Sequence, residues 1–284
     1  MNFIKYHIDD FGLTKSISNK LLYLIAKKPK NISGISVILN TNKDVGNLIK
    51  KIIKLNNKIS INLHLNLIDG KAMSKKHKKI INKKGYFKFD FLNYLLLKLN
   101  IDFLTYKNEL RDEIESQLKL YLKILKDIKY KNPTHISLDS HQYVHQIPWI
   151  FNLILSLSSK YKIVFIRSTN EPFILSHFSN FFKLWFYKNL FKFFILRFFN
   201  FINSKKRNLY NIRSNKYFYG IINSGNMNGK YINSIKVKSK SNVQILFHPN
   251  IAIKKEKFIF GDNKKLLYYL SKKRIDEYNF ILNV

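Results

Sequence analysis

Apolar and polar residues alternate most clearly from residue 59 to residue 66, where every odd position is apolar and every even position is polar. A period of two predicts a β-strand that turns one face toward the core. Two shorter, largely apolar runs, at residues 163–166 and 243–247, predict buried strands. A polar residue follows each run directly, Arg167 after the first and His248 after the second.

The rest of the pattern combines short strands with helices. Residues 4–8 predict a further strand, followed by Asp9, Asp10 and Gly12, which permits a sharp turn. Over residues 107–129 apolar residues recur every three or four positions, which predicts a long amphipathic helix. This order predicts an α/β fold with a mostly parallel sheet or barrel, and in such folds the functional groups lie at the carboxyl ends of the strands.

Residues 135–145 are rich in groups that bind metals or transfer protons. As one extended strand, this segment would place its odd-numbered residues on a single face. The residues concerned are His135, Asp139, His141, Tyr143 and His145. We therefore expect a continuous ridge of imidazole, carboxylate and phenol groups.

The chain has no cysteine, so a bound metal has to be held by imidazoles, carboxylates or backbone oxygens. Asp10, His64 and His141 offer one carboxylate and two imidazoles from three separate strand ends, with a position left for water or substrate. Asp9 is the candidate base and His248 the candidate proton donor. The structural alternatives are ordinary ones: paired aspartates often cap turns, and a lone histidine after a strand is usually a hydrogen-bonded core residue.

Two further polar residues are expected to support this site. Asp139 is expected to orient His141 or to brace its strand. Arg167 is expected to orient a carboxylate or a sugar group, with an ion pair to Glu171 as the alternative. The histidines without such neighbours are interpreted as structural or surface residues: His7, His77 and His177.

Residues 173–203 depart from the α/β pattern, because thirteen of these thirty-one residues are Phe, Trp or Tyr. Lys or Arg interrupts the segment regularly, so no uncharged stretch approaches the ~20 residues of a membrane span. We expect an aromatic-rich helical insertion, and three placements stay open. It forms a hairpin packed on the barrel, a dimer surface, or a segment in the membrane interface with its lysines toward anionic headgroups.

The formal net charge of +34 would ordinarily indicate a polyanionic partner. However, the basic residues are mostly lysine, are spread along the whole chain and accompany abundant Asn, Ile and Phe, which is the bias of an AT-rich coding sequence. Nucleic-acid readout motifs are absent, so we expect no nucleic-acid partner. One regional feature is independent of this bias: no acidic residue occurs from Pro172 to Lys255.

Four short motifs stand in a fixed order along the chain. They are Asp9-Asp10-Phe11-Gly12-Leu13, His64-Leu65-Asn66-Leu67 with Asp69-Gly70-Lys71, the stretch from Pro133 to His145, and His248-Pro249. Together they resemble the YdjC family of carbohydrate deacetylases, which includes diacetylchitobiose deacetylase and the hopanoid-associated deacetylases. The resemblance covers residues 3–249, and residues 217–227 are more similar to the hopanoid-associated branch.

This resemblance implies a distorted (β/α) barrel, similar to a TIM barrel, in a single polysaccharide-deacetylase-like domain over residues 1–284. It also implies that an N-acetyl group is hydrolysed from a sugar at a metal. The residues that match the family's metal ligands are Asp10, His64 and His141, and those that match its reacting centre are Asp9, His145 and His248. The chain departs from the family pattern at Ile8, Tyr143 and Asn250, which puts the preferred substrate in doubt rather than the reaction.

We therefore expect a metal-dependent deacetylase that releases acetate from an N-acetylated amino sugar, in an oligosaccharide or a glycolipid precursor. The cofactor is one divalent ion, zinc or magnesium. Asp139, Arg167 and Tyr143 are expected to bind substrate or to support the ligands. The N-terminal residues lack the apolar run of a signal peptide, so a cytoplasmic location is expected. Peripheral contact with the inner membrane through residues 173–203 and a homodimer are alternatives that stay open.

Overall fold

The computed structural model describes residues 6–174, 182–235, 242–256, 259 and 263–283. Within these residues, seven strands form one sheet in which every neighbouring pair runs parallel. They are β1 (Tyr6–Phe11), β2 (Ile32–Val37), β3 (Ser60–Leu65), β4 (Ile136–Ser140), β5 (Ile163–Ile166), β6 (Tyr217–Tyr219) and β7 (Val243–Phe247). The strand order is β5-β4-β3-β2-β1-β7-β6.

This strand order is that of a barrel whose last seam is incomplete. Strands that follow each other in sequence are neighbours in the sheet, and β7 lies next to β1. At the seam between β5 and β6, Phe165 forms an isolated parallel bridge with Arg213, and Phe218 N–H donates a hydrogen bond to Asn170 O. The predicted α/β, barrel-like fold is therefore confirmed as seven parallel strands curled into a half-barrel with surrounding helices.

Helices follow most of the strands and pack on the sheet. They are α1 (Lys15–Lys27), α2 (Val45–Leu55), α3 (Phe91–Leu96), α4 (Phe103–Asp127), α5 (Pro148–Tyr161), α6 (Leu184–Leu209), α7 (Gly229–Ser234), α8 (Asn263–Tyr269) and α9 (Lys272–Asn283). Buried Leu21 of α1 and Leu118 of α4 belong to the same apolar cluster as Ile8 of β1, so helices and sheet share one core. Thr14 fixes the start of α1, because its side chain accepts a hydrogen bond from Ile17 N–H.

Several elements lie where the sequence pattern predicts them. β5 and β7 have the predicted bounds, β3 is one residue shorter at each end, and α4 covers most of the predicted residues 107–129. Residues 4 and 5 of the first predicted strand lie outside the described residues. β1 does not end at residue 8, however, and continues to Phe11.

The two aspartates lie inside β1 because the strand contains a β-bulge. Between its pairs with Ile35 and Val37, β1 has one residue more than β2. Asp10, in this bulge, has a left-handed backbone with φ of 63°. In a regular strand adjacent side chains point to opposite faces, whereas here Asp9 and Asp10 both reach the same cavity at the end of the sheet.

The predicted extended ridge over residues 135–145 is wrong. β4 ends at Ser140, and residues 141–146 form a 3-10 helix in which Gln142 and Tyr143 have left-handed φ values of 53° and 63°. His135 precedes β4 and is exposed at the opposite end of the sheet. An extended strand rises by about 3.3 Å per residue and would leave the sheet, whereas this tight turn keeps His141 over the strand ends.

Most of the described part of the aromatic-rich segment belongs to one helix, over residues 184–209. Residues 175–181, which include His177, lie outside the described residues, so the status of residues 173–203 as an insertion stays a prediction. Phe186, Phe193 and Leu196 are buried in a cluster with Tyr143, so one face of α6 packs on the barrel. Within the part of the chain that the structure describes, no helix is both long and apolar enough to cross a bilayer.

We expect Gly12→Ala to destabilise the fold more than Gly85→Ala. Both glycines have a left-handed backbone, with φ of 92° and 82°, which costs an L-residue about 1–2 kcal/mol. A Cβ at Gly12 would lie 2.3 Å from Ile38 O, whereas a Cβ at Gly85 meets nothing within 4 Å. Urea denaturation should therefore give a loss in the free energy of unfolding of about 1 kcal/mol for Gly85→Ala and at least about 2 kcal/mol more for Gly12→Ala. Equal losses would contradict a close approach of the β1–α1 turn to residue 38.

Candidate metal centre and active site

A cavity of about 380 Å³ lies at the carboxyl ends of the strands. Its walls come from the ends of β1, β3, β4 and β7, together with α6 and α8. Six of the nine predicted site residues line it: Asp9, Asp10, His64, His141, Tyr143 and His248. The other three, Asp139, His145 and Arg167, are fully buried behind its wall.

Asp10 is the centre of the predicted ligand set. Its Oδ1 lies 2.7 Å from His141 Nδ1 and 3.2 Å from His64 Nε2. One ligand atom from each of the three side chains lies within 4.8 Å of the other two, and all three residues are buried. The fold thus brings these residues from β1, β3 and the turn after β4 to one point.

Asp139 supports His64 from behind. Its Oδ1 lies 2.6 Å from His64 Nδ1, while its Oδ2 accepts hydrogen bonds from Ser36 Oγ at 2.6 Å and Asn62 Nδ2 at 3.1 Å. A carboxylate in this position fixes the orientation of the imidazole and leaves Nε2 toward the ligand centre. The expected partner was His141, but His64 and Asp139 are register partners in β3 and β4, so the contact forms with His64 instead.

Two residues without a role in the sequence analysis, Asp69 and Asn250, also contact the ligands. Asp69 Oδ2 lies 2.9 Å from His141 Nε2, and Asn250 Nδ2 donates a hydrogen bond to Asp10 Oδ2 at 2.8 Å. Both residues lie in loops after strands, where no periodic pattern singles them out. Asn250 is one of the chain's departures from the family pattern, and its amide fixes the second oxygen of Asp10.

Arg167 is a buried cation that joins Asp9 to Asp139. Its Nη1 and Nη2 donate to Asp9 Oδ2 and Oδ1 at 2.6 and 2.8 Å, and Nη2 also lies 2.7 Å from Asp139 Oδ2. Arg167 thus holds the carboxylates of Asp9 and Asp139 in place. The alternative partner, Glu171, instead accepts a hydrogen bond from Ile221 N–H at 2.7 Å.

His7 is not an isolated structural residue, contrary to its interpretation from the sequence. Its Nε2 lies 3.7 Å from Asp9 Oδ1 and 3.9 Å from Asp139 Oδ2, and the three side chains form a second group with metal-binding spacing. The guanidinium of Arg167 already neutralises both carboxylates of this group. A cation is therefore expected at the group centred on Asp10 rather than here.

Burial and charge act in opposite directions on the ligand residues. Burial alone would lower the pKa of His64 and His141, but the carboxylates around them, Asp9 beside His64 and Asp10 beside His141, outweigh burial. The pKa of His64 rises to about 10 and that of His141 to about 9. Burial would raise the pKa of Asp10, but the two imidazoles hold it well below its usual range. Without a cation, both imidazoles are therefore protonated at neutral pH.

The donor set fits a divalent cation. Two imidazoles and one carboxylate are the ligands of many catalytic zinc sites, in which a further position is open. Magnesium prefers oxygen ligands and fits this set less well. Arg167, Asp139 and Asp69 provide the outer contacts that orient such ligands.

His248 and His145, the two histidines that match the reacting centre of the family, have different surroundings. His248 lines the cavity, and burial together with the nearby Arg274 lowers its pKa to about 3. His145 belongs to no described part of the cavity wall: its Nδ1 lies 2.6 Å from Ser140 Oγ and its Nε2 lies 3.1 Å from Arg167 O. We therefore retain His248 as the candidate donor and assign His145 to the support of the turn after β4.

Two side chains on the cavity wall have groups free for a ligand. The hydroxyl of Tyr143 is buried and has no hydrogen-bond partner among the described residues. Lys192 Nζ lies 4.6 Å from the centre of the Tyr143 ring, and burial together with Arg274 lowers the pKa of this lysine to about 8. The sequence does not distinguish Lys192 from the other lysines of its helix, and only the packing of α6 directs it into the cavity.

The chain is similar to known proteins both in sequence and in fold. The sequence model of the YdjC-like protein family matches residues 6–283. A carbohydrate deacetylase of Clostridium beijerinckii (strain ATCC 51743 / NCIMB 8052) is 26% identical over 155 residues, 55% of this chain and 56% of that protein, so the chain spans about half the length of this curated relative. A crystal structure from Enterococcus faecalis V583, of a protein assigned to cellobiose-phosphate cleavage, has a TM-score of 0.60 at 15% identity and covers 99% of this chain and 93% of that chain. This last likeness supports the fold.

His141→Ala should abolish the binding of zinc to the metal-free protein, because it removes one of three ligands. Asp139→Asn, which keeps the ligands but weakens the support of His64, should reduce the affinity by about 10- to 100-fold. His7→Gln, in the second group, should leave the affinity unchanged. Isothermal titration calorimetry measures these affinities, and circular dichroism checks the fold of each variant. Loss of binding in His7→Gln together with retention in His141→Ala would show that the cation occupies the other group.

Binding of the cation should release protons and weaken as the pH falls. Because the pKa values of His64 and His141 are raised to about 10 and about 9, both rings are protonated at pH 7, and a coordinating nitrogen has to lose its proton. Titrations at pH 7 in buffers of different ionisation enthalpy should report about one proton released per imidazole. A binding enthalpy independent of the buffer would contradict this protonation state.

Proposed function

The chain belongs to the YdjC-like protein family, and on this basis we propose that it is a metal-dependent hydrolase that removes the N-acetyl group from an N-acetylated amino sugar and releases acetate. The observation that carries the proposal is the convergence of Asp10, His64 and His141 on the wall of one cavity. The name of the relative from C. beijerinckii, carbohydrate deacetylase, supports the reaction and the class of substrate. The cavity volume lies within the range of small-ligand sites, about 300–1,000 Å³.

The ligand residues would hold a divalent cation, with zinc favoured over magnesium by the donor set. Such a cation supplies Lewis acidity, which polarises the acetyl carbonyl and makes the attacking water more acidic. The chain's own contribution is to hold the ligands rigidly. Asp139 fixes His64, Asp69 contacts His141, and Asn250 fixes Asp10.

Asp9 is placed to accept the proton of the attacking water. It lines the cavity, and its Oδ2 lies 3.9 Å from His64 Nε2, so it adjoins the ligand cluster. Burial would raise the pKa of Asp9, but the guanidinium of Arg167 outweighs burial and lowers it. Asp9 is therefore ionised before the reaction and held in one orientation, and as a weak base it depends on the acidification of the water.

His248 enters the reaction as a neutral imidazole, because its pKa is lowered to about 3. A neutral imidazole has one N–H donor and one acceptor nitrogen. We assign to His248 the transfer of a proton to the departing amine nitrogen. This proton is the one that the attacking water releases, so the ring is neutral before and after each turnover and no net proton is lost from the site.

Tyr143 and Lys192 are placed to contact the sugar. The hydroxyl of Tyr143 is buried without a partner among the described residues, and an unpaired buried polar group is satisfied when a ligand hydroxyl reaches it. Lys192 Nζ lies over the ring of Tyr143 and can donate to a ligand oxygen. Tyr143 is one of the positions at which the chain departs from the family pattern. We therefore expect Tyr143 and Lys192 to determine which sugar is preferred.

His248→Gln and Asp9→Asn should each lower kcat for acetate release by about 10²- to 10⁴-fold, the usual contribution of a proton-transferring group. The matched control is His135→Gln, since His135 is exposed at the opposite end of the sheet. Acetate release from a panel of N-acetylated sugars by the zinc-loaded enzyme is the assay. His248→Gln should still bind zinc, because His248 is not a proposed ligand. Full activity in His248→Gln would refute its role, and absence of acetate release from every sugar would count against the function.

A further inference from the structure

The outer face of α6 carries a stripe of large apolar side chains that packs on no described part of the protein. Its residues recur with spacings of three and four, so they share one side of the helix. They are Leu184, Tyr187, Phe191, Phe194, Phe198 and Phe201. Each of them is between 52% and 72% exposed. We call this set the α6 outer face.

The opposite side of α6 already attaches the helix to the barrel. Phe186, Phe193 and Leu196 are buried, and Phe199 lies against the main core. The apolar contacts of the helix with the barrel therefore come from its inner face, and the residues of the outer face are mostly exposed. A contiguous patch of six large, exposed apolar side chains usually marks an interaction surface.

A further exposed apolar residue lies beside the cavity. Leu267 of α8 is 63% exposed, and Tyr268, next to it, lines the cavity. Lys192 of α6 lines the same cavity, so both helices reach it.

Positive charges flank the α6 outer face, and negative charges are missing from the whole region. Lys188 and Arg197 are exposed and lie about 100° around the helix axis from the middle of the stripe, one on each side. Lys205 is also exposed and lies on the same side of the helix as the stripe, one turn beyond Phe201. No Asp or Glu occurs from Pro172 to Lys255. The surface therefore combines aromatic side chains with cations that have no carboxylate of their own region to pair with.

This charge pattern decides between the two occupants that such a face could have. In a homodimer through α6, the lysines of one copy would face those of the other with no carboxylate from this region between them, and like charges oppose association. A bilayer that contains anionic lipids, in contrast, attracts Lys and Arg side chains near its surface. Helices with one apolar face and flanking cations lie in the plane of the membrane interface.

We propose that the α6 outer face docks the protein on an anionic lipid bilayer, beside the cavity that Lys192 of the same helix lines. The apolar side chains enter the interface, and Lys188 and Lys205 contact the headgroups. Under the proposed function, this placement selects N-acetylated sugars that are carried on a lipid. The docking itself needs neither a cation in the ligand cluster nor a substrate.

Flotation of the full-length protein with vesicles tests the docking. We expect binding to vesicles of equimolar phosphatidylglycerol and phosphatidylcholine, and much weaker binding to phosphatidylcholine alone. Raising the salt from about 0.1 M to about 1 M shortens the screening length from about 10 Å to about 3 Å and should reduce the binding. No binding to the anionic vesicles at low salt would overturn the proposal.

Two variants separate the apolar contribution from the charges. The triple variant Phe191→Ser/Phe194→Ser/Phe198→Ser and the double variant Lys188→Glu/Lys205→Glu should each weaken vesicle binding by at least about tenfold. The matched controls change exposed residues on α1 and α2: Tyr23→Ser/Leu55→Ser for the apolar residues and Lys50→Glu/Lys51→Glu for the lysines. The controls should bind as the unmodified protein does, and an equal loss in the controls would contradict a specific face.

Light scattering and an activity assay complete the test. A dimer that dissociates in the triple Phe→Ser variant, without vesicle binding by the unmodified protein, would identify a second copy as the occupant instead. Acetate release from a soluble N-acetylated sugar should be unchanged in the triple variant, because these residues do not line the cavity. Since vesicle binding is measured without metal or substrate, its failure leaves the proposed reaction intact, and failure of the reaction leaves the docking intact.

Discussion

Compensation of buried charge at the end of the sheet is the constraint on which the whole site depends. Four aspartates are buried there: Asp9, Asp10, Asp69 and Asp139. A buried carboxylate has lost its hydration, and the repulsion between neighbouring carboxylates is screened less than in water. Positive charges therefore have to lie close by. Arg167 supplies one permanent positive charge. Two further positive charges come either from protons on His64 and His141 or from a bound dication. Two protons and one dication carry the same charge, so the same fold accommodates both states.

The backbone at this end of the sheet is irregular for a related reason. A regular strand cannot direct Asp9 and Asp10 into one cavity, and a straight continuation of β4 would carry its ligand away from the others. The bulge in β1 and the left-handed Gln142 and Tyr143 solve both problems. Each left-handed residue costs on the order of 1–3 kcal/mol, which surrounding contacts have to offset. At Asp10, the hydrogen bonds from the imidazoles and from an amide provide that offset.

The regular elements were predictable from the sequence, and the turns that build the site were not. Alternation located β3 with His64, and apolar runs located β5 and β7 with the residues that follow them. Periodicity says nothing about bulges or consecutive left-handed residues, so it gave an extended ridge where a 3-10 helix carries His141. Asp69 and Lys192 were missed because their role depends on which loop and which helix face meet the cavity, and this is a property of the topology. The motif resemblance indicated the ligand set, and Asp139 and Arg167 were expected to support it, whereas the contacts of Asp69 and Asn250 with the ligands follow only from the structure.

In α6, the abundance of Phe and Lys and the placement of these residues on the helix have different explanations. A coding bias toward Phe and Lys explains why these residues are abundant, but it does not explain where they lie on a helix. In α6 the phenylalanines that pack and those that are exposed fall on opposite sides, and the flanking cations stand at the edges of the exposed stripe. Lys192, in contrast, lies between the two faces and reaches the cavity. A single helix thus contributes to the core, to the wall of the cavity and to the outer surface, so one rigid element connects the exposed stripe to the cavity.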